Sequence, residues 1–91
     1  MFELFLETKQ FFSNIGLQEN KLGTLYSYHC FTFAFSINDI TLEHFNKIKE
    51  YCILKNIYFI QQTIPTTPQY IQLLFMKNGI DTTEYLHLLN R

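Results

Sequence analysis

The sequence predicts an α+β domain: a three-stranded mixed sheet in the element order α-β-α-β-β-α, with its helices packed mainly on one face. Three observations carry that expectation. Apolar residues recur at helical offsets over residues 2–15, 42–55 and 82–89, with period two over residues 24–37 and 69–77, and as a short unbroken run over 57–60. Residues that favour turns separate these segments. The 91-residue length, with 47% hydrophobic and 16% charged residues, suits one folded unit spanning residues 1–91 rather than a disordered tail or two domains.

The first helix is read from Leu4, Phe5, Thr8, Phe11, Phe12 and Ile15, which share a face opposite Glu3, Glu7, Lys9 and Gln10. Gly16 can take the left-handed position that ends it, and Leu17 then falls where a Schellman cap packs against Phe12. After a polar connection over residues 17–23, Thr24 to Ile37 reads as one long strand, bulged near His29. Its alternation places Leu25, Phe31, Phe33, Phe35 and Ile37 on one face, and Tyr26, Tyr28, Cys30, Thr32, Ala34 and Ser36 on the other.

Asn38 and Asp39 break the strand, and Thr41 is a natural N-cap for a helix from Leu42 to Lys55, with Ile40 and Phe45 spaced as a hydrophobic staple. The apolar stripe of that helix runs Leu42, Phe45, Ile48 or Lys49, and Cys52, and Asn56 can close it in a left-handed conformation. Ile57 to Ile60 begins the second strand, Ile64 to Gln69 holds both prolines and forms a loop, and Gln69 to Lys77 alternates as the third strand. Asn78-Gly79 turns the chain, and Asp81 with Glu84 resembles a capping box for a last helix, Thr82 to Leu89. A strand-helix-strand order favours a parallel crossover, after which the proline loop returns the third strand antiparallel.

Composition bounds the partners. Seven Lys and Arg against eight Asp and Glu give a net charge of −1, and Arg91 is the single arginine, so a phosphate backbone finds no basic surface to match it. Acids at Glu3 and Glu7 stand where a secretory leader carries bases, and no apolar run approaches the ~20 residues of a membrane span. With two cysteines and no disulfide framework, the expectation is a cytoplasmic protein with reduced thiols. Codon bias in an AT-rich genome would also favour Ile, Phe, Asn, Lys and Tyr, which lowers the functional weight of aromatic richness by itself.

No constellation specifies catalysis. His29 and Cys30 are strand neighbours and point to opposite faces, so they form no dyad. Glu84 and His87 stand at i, i+3 but have no second copy of the pair, and the three histidines show no zinc spacing. Gly16, Gly23 and Gly79 are isolated and build no phosphate loop. Glu43 and Lys47 read as an i, i+4 helix pair. The expectation is a non-enzymatic protein with no cofactor and no metal.

What remains is apolar surface. Met1, Phe2, Leu4, Phe5 and Leu6 circle the first helix rather than line one side, and the sheet face without helices would carry Tyr26, Tyr28, Ala34, Tyr70, Leu74 and Met76. A domain this small buries only about 60–65% of its unfolded surface, so such faces ask for a cover. The functional expectation is therefore a protein-interaction module, either a homodimer or an accessory or inhibitor subunit on a larger protein. Its interface residues are expected to be Phe2, Phe5, Tyr26, Tyr28, Tyr70 and Met76. The alternative is single-stranded nucleic-acid binding through an aromatic sheet face, because Phe31-Thr-Phe-Ala-Phe alternates as base-stacking strands do. No basic residue or glycine immediately precedes Phe31, and the three phenylalanines fall on the face assigned to the helices.

Overall fold

The computed structural model describes residues 2–27, 29–63 and 66–77. Two helices lie against a four-stranded, fully antiparallel sheet: α1 (Phe2–Asn14), β1 (Asn20–Tyr26), β2 (Cys30–Ser36), α2 (Leu42–Lys55), β3 (Ile57–Thr63) and β4 (Tyr70–Lys77). The α+β class holds, and the sheet corrects the expected one in two ways. The long strand from Thr24 to Ile37 is two strands joined by a tight hairpin, in which the Ser27 amide donates to the Cys30 carbonyl at 2.8 Å. The sheet order is β1-β2-β4-β3, so β4 sits between β2 and β3. Those two strands run parallel to each other but never pair; each is antiparallel to β4. The expected last helix, the Asn78-Gly79 turn and the Asp81–Glu84 box lie outside the described residues.

The helix ends follow their local chemistry. Gly16 has φ 76°, Leu17 N–H donates to the Phe12 carbonyl at 2.9 Å and Gly16 N–H to Ser13 at 3.1 Å, which together form the Schellman closure. Thr41 caps α2 by accepting from the His44 amide, while His44 Nδ1 accepts from the Thr41 amide at 3.1 Å. Histidine thus takes the place that Glu or Gln holds in the usual box. Asn56 closes α2 at φ 57°.

The core lies on one face of the sheet. Phe31, Phe33 and Phe35 of β2, Leu73 and Phe75 of β4 and Ile57 of β3 are buried with Phe12, Leu17, Ile48 and Cys52. Phe12 is the keystone ring, meeting Phe33, Phe35 and Phe75 at centroid distances of 5.0, 4.7 and 5.8 Å in edge-to-face geometry. Leu42, expected in the apolar stripe of α2, is exposed instead, and the stripe begins at Phe45. The two helices are tied side by side. Thr8, fully buried, donates to the Leu4 carbonyl at 2.7 Å and shares a 2.9 Å hydrogen bond with the Tyr51 hydroxyl. Phe11 stacks on Tyr51 at 4.2 Å, and Lys55 pairs with Glu7 at 2.8 Å. That carboxylate, by its hydrogen bond, holds the Lys55 ammonium above its ordinary pKa.

The opposite face is sealed at its centre. Thr32, Ala34, Leu74 and Met76 are all buried there. Part of the cover is β1 itself, which is strongly irregular between Asn20 and Leu25. Its Gly23 lies directly over Ala34, so close that a Cβ on Gly23 would overlap the Ala34 methyl. The Thr32 hydroxyl replaces the broken ladder, donating to the Gly23 carbonyl at 3.0 Å and accepting from the Leu25 amide at 3.1 Å.

Candidate interaction surface

Hairpin register decides where the tyrosines point. Tyr26 is directly opposite Phe31, and Leu25 opposite Thr32. Directly paired residues share a sheet face, so Tyr26 stands on the helix side with the phenylalanines, opposite to the placement expected from one continuous strand. The pairing of Tyr26 with Phe31 and of Leu25 with Thr32 exchanges the parity of β1 relative to β2.

This brings three of the expected interface residues together. Phe5 is the inner member: its ring stacks on Phe33 at 5.4 Å and 13°, and meets Phe31 edge-on at 5.5 Å. Outward from it, Tyr26 lies 5.4 Å away and Phe2 6.2 Å away, and Phe2 and Tyr26 close the triangle at 5.5 Å with rings 80° apart. Phe2 remains 55% exposed and Tyr26 43%, with Leu6 exposed one turn along the helix at 48%. The result is an aromatic ledge at the start of α1, rooted in the core through Phe5 and open to solvent through its two outer rings. Only the acids Glu3 and Glu7 carry charge in this part of α1, and Glu7 is already paired with Lys55.

Of the other three expected residues, Tyr70 and Met76 stand apart from the ledge. Tyr70 is half-buried at the start of β4. Met76 is fully buried, its sulfur accepting from the Tyr58 hydroxyl at 3.8 Å, and presents no surface on the described chain. Tyr28 lies outside the described residues. Leu25, which one continuous strand would place with the phenylalanines, is instead exposed on the far side of β1 from Tyr26, opposite Thr32.

The titratable side chains are dispersed. Cys30 is half-buried with its sulfur 3.1 Å from the Ser27 hydroxyl, whereas Cys52 is buried in the core, where desolvation pushes its thiol up to about 12. His44 serves the helix cap and His29 is exposed at the hairpin. Among the described residues no three His, Cys, Asp or Glu side chains are grouped so as to hold a metal ion. The Glu84–His87 pair lies outside them. A shallow recess of about 470 Å³ beside the end of α1 is lined by Lys9, Ser13, Gly16, Glu19 and Lys21 among others. Two of its charges pair with each other, Lys9 lying 3.4 Å from Glu19, and the Thr24 hydroxyl donates to the same carboxylate. Among the described residues no helix is long and apolar enough to cross a membrane.

Fold and surface together define a small antiparallel α+β domain with an aromatic ledge at one end of its first helix. No family model, no curated protein and no solved structure matches the chain.

Proposed function

We propose that this chain is a non-enzymatic protein-interaction module whose working surface is the ledge of Phe2, Phe5 and Tyr26, closed by a second protein chain. The observation that carries the reading is the ring triangle itself, with an inner member anchored in the core and two outer members about half exposed. Ordering such rings in advance removes most of the entropy cost of using them as anchors. Covering the exposed half of each outer ring, on the order of 100 Å², is worth roughly 2–3 kcal/mol apiece. The acidic first turn of α1 and the net charge of −1 favour a protein partner over a nucleic acid, whose phosphates those groups would repel.

The test compares wild type with Phe2→Ser/Tyr26→Ser, two changes at exposed positions that leave Phe5 and the core intact. Sedimentation over a concentration series reports association between copies, and capture from the native host reports a different partner. The variant is expected to keep its circular dichroism and lose a complex that wild type forms. If neither route yields a complex that the double variant weakens, the proposal fails.

A further inference from the structure

We infer that the sheet face opposite the helices is an intramolecular docking surface, and that its occupant is the chain's own segment 78–91, seated over Leu74 and Met76. The inference stands apart from the ledge, which lies on the helix side. Leu74 and Met76 are both 0% exposed, beside Thr32 at 2% and Ala34 at 1%. Side chains alternate along a strand and directly paired residues share a face. Met76 pairs with Cys30 and Tyr58, and Leu74 with Thr32 and Ile60, so all of these turn away from the phenylalanine core of Phe31, Phe33 and Phe75.

Such a face of an antiparallel sheet is solvated unless another layer lies on it. Among the described residues β1 folds over this side, and it does so at Ala34 of β2, whereas Leu74 and Met76 belong to β4, one strand further in. Cys30, Tyr58 and Ile60 flank the two side chains within the sheet and are themselves only half-buried. Flanking groups narrow a sheet position, but complete burial of two large side chains takes atoms above the sheet. One chain by itself achieves that burial, so the cover is intramolecular.

The occupant follows from chain length and position. Residues 78–91 lie outside the described residues and begin directly after Lys77, the neighbour of Met76 and the last residue of β4. Tyr85, Leu86 and Leu89 have the spacing of an apolar helical stripe. The eight residues of the helix that the sequence predicts over 82–89 would span about 12 Å, the width of two to three strands at about 4.8 Å each. The four residues before it reach about 13 Å when extended, enough to climb the roughly 10 Å between packed layers. Ile64 and Pro65 follow Thr63, whose partner Ile71 is at the other end of β4 from Met76, and Tyr28 is one residue, too small to cover both side chains.

Methyl NMR of the full chain labelled at methionine reads the cover directly. The Met76 methyl should show nuclear Overhauser contacts to protons of Tyr85, Leu86 or Leu89. Contacts confined to residues 1–77 overturn the inference, and contacts found only between labelled and unlabelled copies in a mixed sample overturn it in favour of a second chain. In Leu86→Ser/Leu89→Ser, peroxide should oxidise Met76 at least about tenfold faster than in wild type, while buried Cys52 on the helix side stays closed to a thiol reagent. Met76 oxidised at the wild-type rate in that variant, with Cys52 still protected, overturns the inference as well. Where the variant exposes Cys52, the domain has unfolded and the wild-type contacts decide.

Discussion

Replacing Gly23 by alanine tests how closely β1 folds over β2. The backbone of Gly23 is outside the left-handed region, since Gly16 is the glycine with positive φ among the described residues. At an unstrained position, Gly to Ala ordinarily stabilises by about 0.4–1 kcal/mol through the unfolded chain. Here sterics reverse the sign. The added methyl would fall within 3.0 Å of the Ala34 Cβ and at 3.4 Å from its Cα, whereas carbon atoms rest at about 3.5–4.0 Å. β1 must therefore move outward by roughly an ångström, and it is not free to do so. The Thr32 hydroxyl clamps it through the Gly23 carbonyl and the Leu25 amide, and Thr32 and Ala34 are buried. Overpacking costs about 1–3 kcal/mol and weakening the clamp about another 1, so a loss of roughly 2–4 kcal/mol is expected. For a domain of this size that lowers the melting temperature by about 10–25 °C.

Urea unfolding of Gly23→Ala, Ala34→Gly and the double variant forms the cycle. Moving the methyl from Ala34 to Gly23 should restore part of the loss, with a coupling of at least about 1 kcal/mol. A neutral or stabilising Gly23→Ala, or strict additivity in the cycle, would refute the close approach of the two strands.

Two further outcomes rest on side chains already placed. Thr41→Ala removes the acceptor for the His44 amide and should destabilise by about 1 kcal/mol in urea, while His44→Gln, which keeps an acceptor for the Thr41 amide, should cost less. The buried Cys52 should resist thiol reagents until the domain unfolds. Its thiol, ordinarily at 9.0, is pushed to about 12 by burial, so the unfolded state loses its proton first. The stability it contributes is complete below pH 9 and falls as pH rises toward 12, and Cys52→Ala should flatten that part of the urea-midpoint profile.

Local chemistry was legible in the sequence wherever one or two residues decide the geometry. Gly16 and Asn56 announced the left-handed helix ends, Thr41 the cap, and Glu43 with Lys47 the ion pair that forms at 3.5 Å. The β1–β2 hairpin was not, because Ser27 to His29 contains none of the Gly, Asn-Gly or Asp-Gly signals that mark a two-residue turn. Its closure rests on hydrogen bonds between Ser27 and the Cys30 carbonyl, which a sequence does not display. Nor does alternation reveal strand order. A strand-helix-strand run is compatible with adjacent parallel strands or with a third strand inserted between them, and here the direct pairing of Phe31 with Phe75 and of Phe59 with Phe75 settles the latter. The ledge was half legible for the same reason. Phe2, Phe5 and Tyr26 were identifiable as excess apolar surface, but only the parity change at the hairpin puts the tyrosine beside the two phenylalanines.

That hairpin also separates the two kinds of edge. By reversing the chain after Tyr26 it makes β1 an outer strand, which then folds over Ala34 and can no longer offer a regular row of backbone donors and acceptors. The surface left at that end is made of side chains, the rings of Phe2 and Tyr26, suited to recognition by shape. At the other end β4 holds β3 in unbroken register from Ile57 to Thr63, a regular ladder that the bulged β1 does not share.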